Sequence, residues 1–196
     1  MALTKIQIDT LKKEVPIWIN TFKAVGFNDK QISFAIPQII FESKYFTSNS
    51  YKEDLNPAGI KYRPNNPSPD TTQGRKSSEY TQAKPDYYAR FKNREAVAKD
   101  YKRILSLKRK GNPLGAPIDA IDFKDYNDRL YANGYYLKTP EVKKNYYNGL
   151  VSINSNLSKV IPNYLELLKK KRYTGYLIIL APIIYLLIKK YNKRRL

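Results

Sequence analysis

Apolar residues recur at helical spacing near the start of this chain, and this periodicity constrains its fold more than any other feature. One helical face of the first stretch carries Ile8, Leu11, Val15, Ile19 and Phe22. Asn28, with Gln31 three residues later, is a capping pair that begins a second apolar helix ending near Glu42. Helical patterns resume after Asn93, after Asp122 and at Thr139-Pro140. The chain is therefore predicted to be mainly α.

Residues 47–85 differ from the rest, because Asn, Pro, Ser, Thr and Gly dominate there without helical periodicity. A disordered linker and a loop-rich lobe both fit this composition. Residues 77–91 have weak strand character, with turn residues at 82–85. We expect the lobe, with a small β-hairpin, because a motif described below lies inside it.

The composition excludes several kinds of catalytic site. The chain has no cysteine and no histidine, which removes disulfides, thiolate metal sites, Ser-His and Cys-His triads and imidazole bases. Hydrolytic chemistry would therefore depend on carboxylates, tyrosines, lysines or hydroxyls. The formal net charge of +19 attracts polyanions, among which nucleic acid, anionic lipid and the bacterial wall all qualify.

Residues 173–188 carry no charge and are flanked by lysines and arginines. As a helix they would span about 24 Å, and snorkelling lysines could extend this to the roughly 30 Å of a bilayer core. The alternative is a buried helix of the globular domain. The sequence favours a single transmembrane helix, and the predicted layout is a catalytic domain at 1–160, a basic linker at 161–172, this helix at 173–191 and a basic tail at 192–196.

Glu42 is the carboxylate whose surroundings favour catalysis, because it ends an apolar helix where partial burial would raise its pKa. Cleavage of a glycosidic bond needs such a protonated acid, and usually a second carboxylate across the sugar. A surface glutamate near a helix end is the alternative interpretation.

The sequence resembles the bacterial and phage glucosaminidases of the flagellar-muramidase type, which are lysozyme-like peptidoglycan hydrolases. Its motifs follow the family's order, between about residues 31 and 153: 39–43 (IIFES) with 56–61 (NPAGIK), 77–80 (SSEY) with 88–91 (YARF), 93–105 with its Asp100-Tyr101 pair, and 134–140 (GYYLKTP). The resemblance implies a lysozyme-like helical domain with a small hairpin lobe. It also implies cleavage of the β-1,4 bond between N-acetylglucosamine and N-acetylmuramic acid, with no metal and no cofactor.

The resemblance also implies roles for individual residues. Glu42 would be the catalytic acid and Glu79 the second carboxylate that acts as base or positions water. Tyr136 would be the tyrosine beside the acid, with Tyr135 as the alternative if the extra residue of this motif falls after it. Glu53 and Asp54 are rivals of Glu79, which could also be a solvated hairpin charge. The implied substrate-binding residues are Asn56, Gly59, Lys61 and Tyr135. A retaining, inverting or substrate-assisted mechanism stays open, because it depends on the separation of the carboxylates.

Two other functions compete with the enzyme. Ala58 and Thr139 depart from the family's usual Phe and Asp, which leaves open a virion-associated structural protein with this fold and little activity. Lysines and arginines interleaved with tyrosines are compatible with nucleic-acid binding, but no nucleic-acid-binding motif supports that interpretation.

The cellular setting is inferred from the absence of a secretory signal at the N-terminus. An anchored hydrolase without such a signal suits a phage, as a lysis or wall-penetration enzyme at the host inner membrane or in the virion. The expected partners are peptidoglycan strands, a membrane and other virion or lysis proteins.

Overall fold

The computed structural model of the protein describes residues 3–65, 67–136 and 139–169. A short 3-10 turn covers Pro117–Asp119. In chain order the described elements are α1 (Lys5–Ala24), α2 (Asp29–Glu42), α3 (Asn49–Asp54), β1 (Thr71–Lys76), β2 (Tyr87–Phe91), α4 (Arg94–Leu105), α5 (Phe123–Ala132), α6 (Pro140–Val160) and α7 (Tyr164–Lys169).

Side-chain caps define where the helices begin. The predicted Asn28–Gln31 capping box is present at the start of α2, and Thr4 and Gln7 form a second one on α1. Each cap satisfies backbone N–H groups that the first helical turn leaves without partners. Single side-chain caps begin α4, α5 and α6 at Asn93, Asp122 and Thr139, the positions at which the sequence predicts these helices to start.

Helix α2 is the centre of the core. It packs against α1, α6 and α7, and its residues from Phe34 to Ile40 are all buried. The surrounding helices bury large side chains around it, among them Trp18 and Phe22 of α1, Leu150 of α6 and Tyr164 of α7. Burying one such side chain stabilises the fold by about 1.5–3 kcal/mol, so the end of α2 is held in a fixed position.

The predicted lobe is present as a two-stranded antiparallel sheet, β1 with β2. The position predicted for its first strand is wrong, because β1 covers Thr71–Lys76 rather than part of residues 77–85. Gly74 explains the choice: a Cβ there would lie 2.8 Å from the Tyr88 carbonyl oxygen and 2.9 Å from Asp54 Cγ. The position of β1 thus depends on close packing against α3 and β2. The strand has no alternating apolar pattern by which the sequence could predict it.

The predicted fold class needs a correction. No helix within residues 3–65, 67–136 and 139–169 is long and apolar enough to cross a bilayer. The segment assigned to that role, 173–191, and the basic tail at 192–196 lie outside the described residues. The fold class is therefore mainly helical with a small two-stranded sheet. The prediction of a transmembrane helix as part of the fold is wrong for the described residues. Residues 161–169, assigned by the sequence to a linker, include α7, whose Tyr164 and Leu168 are buried in the core.

Candidate active site

Glu42 is the last residue of α2 and retains a partial opening to solvent. Its Oε1 accepts a hydrogen bond of 2.6 Å from the hydroxyl of Tyr146 on α6. Its Oε2 faces Gly59, where a Cβ would lie 3.9 Å away. Burial raises the pKa of Glu42 from 4.5 to about 7, against the opposing effect of the Tyr146 hydrogen bond. Such a carboxyl is about half protonated at neutral pH, as a general acid requires.

The chain leaves Glu42 through a left-handed turn. Lys44, Tyr45 and Phe46 have φ values of 50°, 62° and 61°, a region that costs a residue with a side chain roughly 1–2 kcal/mol. The buried Ser43 stabilises this turn, since its Oγ accepts the Phe46 backbone N–H at 2.9 Å. Phe46 is buried as well. The turn thus ends α2 at Glu42 and redirects the chain along the core, and backbone strain of this kind is typical of functional sites.

The turn at residues 56–61 lies opposite Glu42 and is held by two of the predicted substrate-binding residues. The fully buried Asn56 donates to the carbonyl oxygens of Ile60 at 2.7 Å and Ala89 at 2.9 Å. Its Oδ1 accepts the Ile60 N–H at 2.9 Å. Tyr135 donates to the Ala58 carbonyl oxygen at 3.0 Å. In this structure Asn56 and Tyr135 therefore position the turn through its backbone.

Gly59 is the member of this turn that meets the candidate acid. Its φ of +61° lies in the left-handed region, which glycine adopts without steric cost. The space a side chain would fill lies between Glu42 Oε2 and Tyr88 Cε1, each 3.9 Å from the Cβ position. The glycine therefore keeps the approach to Oε2 open.

A buried polar cluster lies behind Glu42, and the sequence reasoning missed it. Gln38, one turn earlier on α2, donates from Nε2 to the Tyr146 hydroxyl at 2.9 Å. Its Oε1 accepts hydrogen bonds from Tyr101 of α4 and Tyr126 of α5. An amide four residues before Glu42, inside an apolar run, is the signal that would have pointed to this residue. The tyrosines carry no such local signal in a chain with 18 of them.

Tyr136 lies beside Tyr146 rather than beside the carboxylate. The two rings stack with centroids 4.3 Å apart and an interplanar angle of 23°. The Tyr136 hydroxyl donates to Asn127 Oδ1 at 2.7 Å. Within the described part of the chain, the tyrosine that hydrogen-bonds Glu42 is therefore Tyr146, and Tyr136 supports its ring.

Glu79 lies between the strands of the hairpin, and its side chain is 71% exposed. It pairs with Lys61, whose Nζ lies 3.8 Å from Glu79 Oε2 and 2.5 Å from Asp86 Oδ2. Lys61 also lies over the ring of Tyr88, 4.8 Å from its centroid. Because Tyr88 borders Gly59, this group connects the hairpin to the Glu42 site. No hydrogen bond joins Glu79 to Glu42 among the described residues.

The rival carboxylates have structural partners. Asp54 is buried and accepts from Arg90 Nε at 2.8 Å and from the Arg75 backbone N–H at 3.1 Å. Glu53 pairs with the Arg75 side chain at 3.4 Å. Both fasten α3 to the hairpin. Residues 3–65, 67–136 and 139–169 contain no group of three acidic side chains that could hold a metal ion.

One solved structure with a similar fold is the catalytic domain of the autolysin Auto from Listeria monocytogenes. The match has a TM-score of 0.51 and covers 82% of this chain and 90% of that domain, at 18% sequence identity. No protein-family model and no curated protein sequence matches the chain. At this identity the likeness shows a shared fold, whereas function has to be argued from the site.

Proposed function

We propose that this protein is a peptidoglycan hydrolase that cleaves glycosidic bonds, with Glu42 as its general acid. One observation carries the proposal: a carboxyl with a pKa of about 7 faces a glycine turn at the end of a buried helix. The fold shared with the catalytic domain of an autolysin supports this choice of substrate class. The high positive charge of the chain, +19, suits an anionic polymer such as the bacterial wall.

The proposed chemistry begins with proton donation. Glu42 Oε2 protonates the glycosidic oxygen, and Tyr146 stabilises the resulting carboxylate through Oε1. Glu79 is the proposed second carboxylate, which stabilises positive charge at the sugar or activates water. Its exposed position on the hairpin, with Lys61 as its ion-pair partner, allows it to move towards a bound sugar. The proposed bond is the β-1,4 link between N-acetylglucosamine and N-acetylmuramic acid, as in the glucosaminidases that the motifs resemble.

A structural protein with the same fold and little activity is the second candidate. The observation in its favour is that Glu79 pairs with Lys61 and makes no hydrogen bond to Glu42 among the described residues. A phage lysis or wall-penetration role belongs to either candidate as a finer proposal. Mass spectrometry of purified phage particles separates a virion component, which is present in them, from a lysis enzyme, which is absent.

The test of the enzyme is digestion of purified peptidoglycan by the full chain, with mass spectrometry of the reduced products. Reducible N-acetylglucosamine ends would support a glucosaminidase, and N-acetylmuramic ends would keep the glycosidase but change the bond. Glu42→Gln is expected to lower the rate by about a hundredfold or more, because general acid catalysis is worth about 10²–10⁴. Glu53→Gln is the matched control, since this carboxylate pairs with Arg75 away from Glu42.

Glu79→Gln then tests the second carboxylate. A loss comparable to that of Glu42→Gln supports the proposed role, whereas wild-type rates assign the role to another group, including the substrate's own acetamido group. No cleavage by the wild-type chain, over several wall types, would favour the structural protein instead.

A further inference from the structure

Gln38 is a fully buried amide in an otherwise apolar stretch of α2. Burying an amide is unfavourable unless its polar atoms are hydrogen-bonded. Here the partners come from three different helices, namely Tyr101 on α4, Tyr126 on α5 and Tyr146 on α6. A single side chain is therefore hydrogen-bonded to three helices, and one of its partners, Tyr146, is also hydrogen-bonded to Glu42.

The direction of these hydrogen bonds follows from the donors and acceptors available. Gln38 Oε1 can only accept, so Tyr101 and Tyr126 both donate to it. This orients the amide with Nε2 towards Tyr146, to which it donates at 2.9 Å. Tyr146 has one hydroxyl hydrogen, and since its oxygen already accepts from Gln38, that hydrogen is donated to Glu42 Oε1.

The chain of donors determines which oxygen of Glu42 can hold a proton. Oε1 accepts from Tyr146, so the proton of the neutral carboxyl belongs on Oε2, the oxygen that faces Gly59. We propose that Gln38 is a positioning residue, which acts through Tyr146 to keep the acidic proton of Glu42 on the open side of the site. Its effect on turnover depends on the proposed function, whereas its effect on the proton position does not.

Among the described residues, three phenols from separate parts of the fold interact with Glu42. Tyr126 on α5, Tyr135 after α5 and Tyr146 on α6 all interact electrostatically with it, and burial raises the pKa of each. These phenols are therefore neutral at pH 7. Removing Gln38 changes the orientation of the Tyr146 hydroxyl and leaves the charges around Glu42 unchanged.

The test compares Gln38→Met, which is close in size but has no amide, with Tyr146→Phe. Carbon NMR of full-length protein with ¹³C-labelled glutamate follows the Glu42 carboxyl, assigned by its loss in Glu42→Gln. Both variants are expected to raise the titration midpoint by about 0.5–1 pH unit. Tyr146→Phe removes the hydrogen bond to the carboxylate. Gln38→Met leaves the Tyr146 oxygen free to accept a hydrogen bond from the protonated carboxyl, which favours the neutral form of Glu42. Tyr147→Phe is the control, since it removes a hydroxyl from the next residue of α6.

The direction of the change separates positioning from a structural role. A merely loosened structure admits water to Glu42, which would move its midpoint down towards 4.5. A downward shift, or no shift, in Gln38→Met would overturn the proposal, even if Tyr146→Phe shifts the midpoint upward. If Gln38→Met does not fold, Tyr101→Phe combined with Tyr126→Phe releases the same amide, and an upward shift is expected again.

Turnover provides the second readout. In the wild-type chain, activity falls as Glu42 ionises, so an upward midpoint moves the alkaline limb of the kcat profile to higher pH. The plateau of kcat is expected to fall about tenfold in Gln38→Met, because the neutral carboxyl then holds its proton mostly on Oε1 and Oε2 rarely has one to donate. If the wild-type chain cleaves no peptidoglycan, the proposed function fails, and the NMR titration alone decides the role of Gln38.

Discussion

Replacing Glu42 by glutamine is expected to stabilise the folded protein at alkaline pH and to have little effect at pH 4.5. The pKa of Glu42 is about 7 in the fold against an ordinary 4.5. Each pH unit of this difference is worth about 1.4 kcal/mol, so the ionised carboxylate costs the fold about 3 kcal/mol. Because the folded-state pKa is raised, stability is complete below pH 4.5 and is lost as the pH rises through 7.

Glutamine keeps the shape of the side chain and an acceptor for Tyr146, but it cannot ionise. Urea unfolding at pH 4.5 and pH 9 measures the free energy of unfolding of both proteins. The advantage of Glu42→Gln over the wild type is expected to grow by about 3 kcal/mol between these pH values. Glu79→Gln, at a side chain that is 71% exposed, is the control and should change stability by less than about 0.5 kcal/mol at either pH. An advantage of Glu42→Gln that is the same at both pH values would refute the burial of this carboxyl.

Three further substitutions test the geometry around the site. Gly59→Ala and the control Gly111→Ala both place a side chain at positive φ, so each should lose about 1–2 kcal/mol in urea unfolding. Only the Gly59 variant should also lose turnover, because its Cβ would lie 3.9 Å from Glu42 Oε2. Nothing lies within 4 Å of a Cβ at Gly111. Gly149→Ala would place a Cβ 2.3 Å from a ring carbon of Phe41, so it should lower the melting temperature, and Phe41→Ala in the same chain should reverse this. Asn56→Ala removes three buried hydrogen bonds and should cost about 2–4 kcal/mol in urea unfolding.

Local patterns in the sequence were sufficient to predict most of the helices. The capping residues Asn28, Asn93, Asp122 and Thr139 begin α2, α4, α5 and α6 as expected. Helix starts can be read from sequence because a cap bonds a backbone group only a few residues away. The position of Glu42 at the end of an apolar helix was predicted from the apolar run that precedes it. Helices α3 and α7 and strand β1 were missed, since short elements depend on contacts such as that of Gly74 with Asp54.

The sequence by itself determined the helical class and the exclusion of histidine and cysteine chemistry, and it was sufficient to name Glu42 as the candidate acid. Tertiary structure alone decided which groups surround this carboxyl. Tyr146 lies 104 residues from Glu42 along the chain, and Gln38 meets tyrosines 63 and 88 residues away. Such contacts arise when helices pack, and no local periodicity encodes them. The pKa of Glu42 depends on the burial that this packing creates, and the fold therefore determines its acidity.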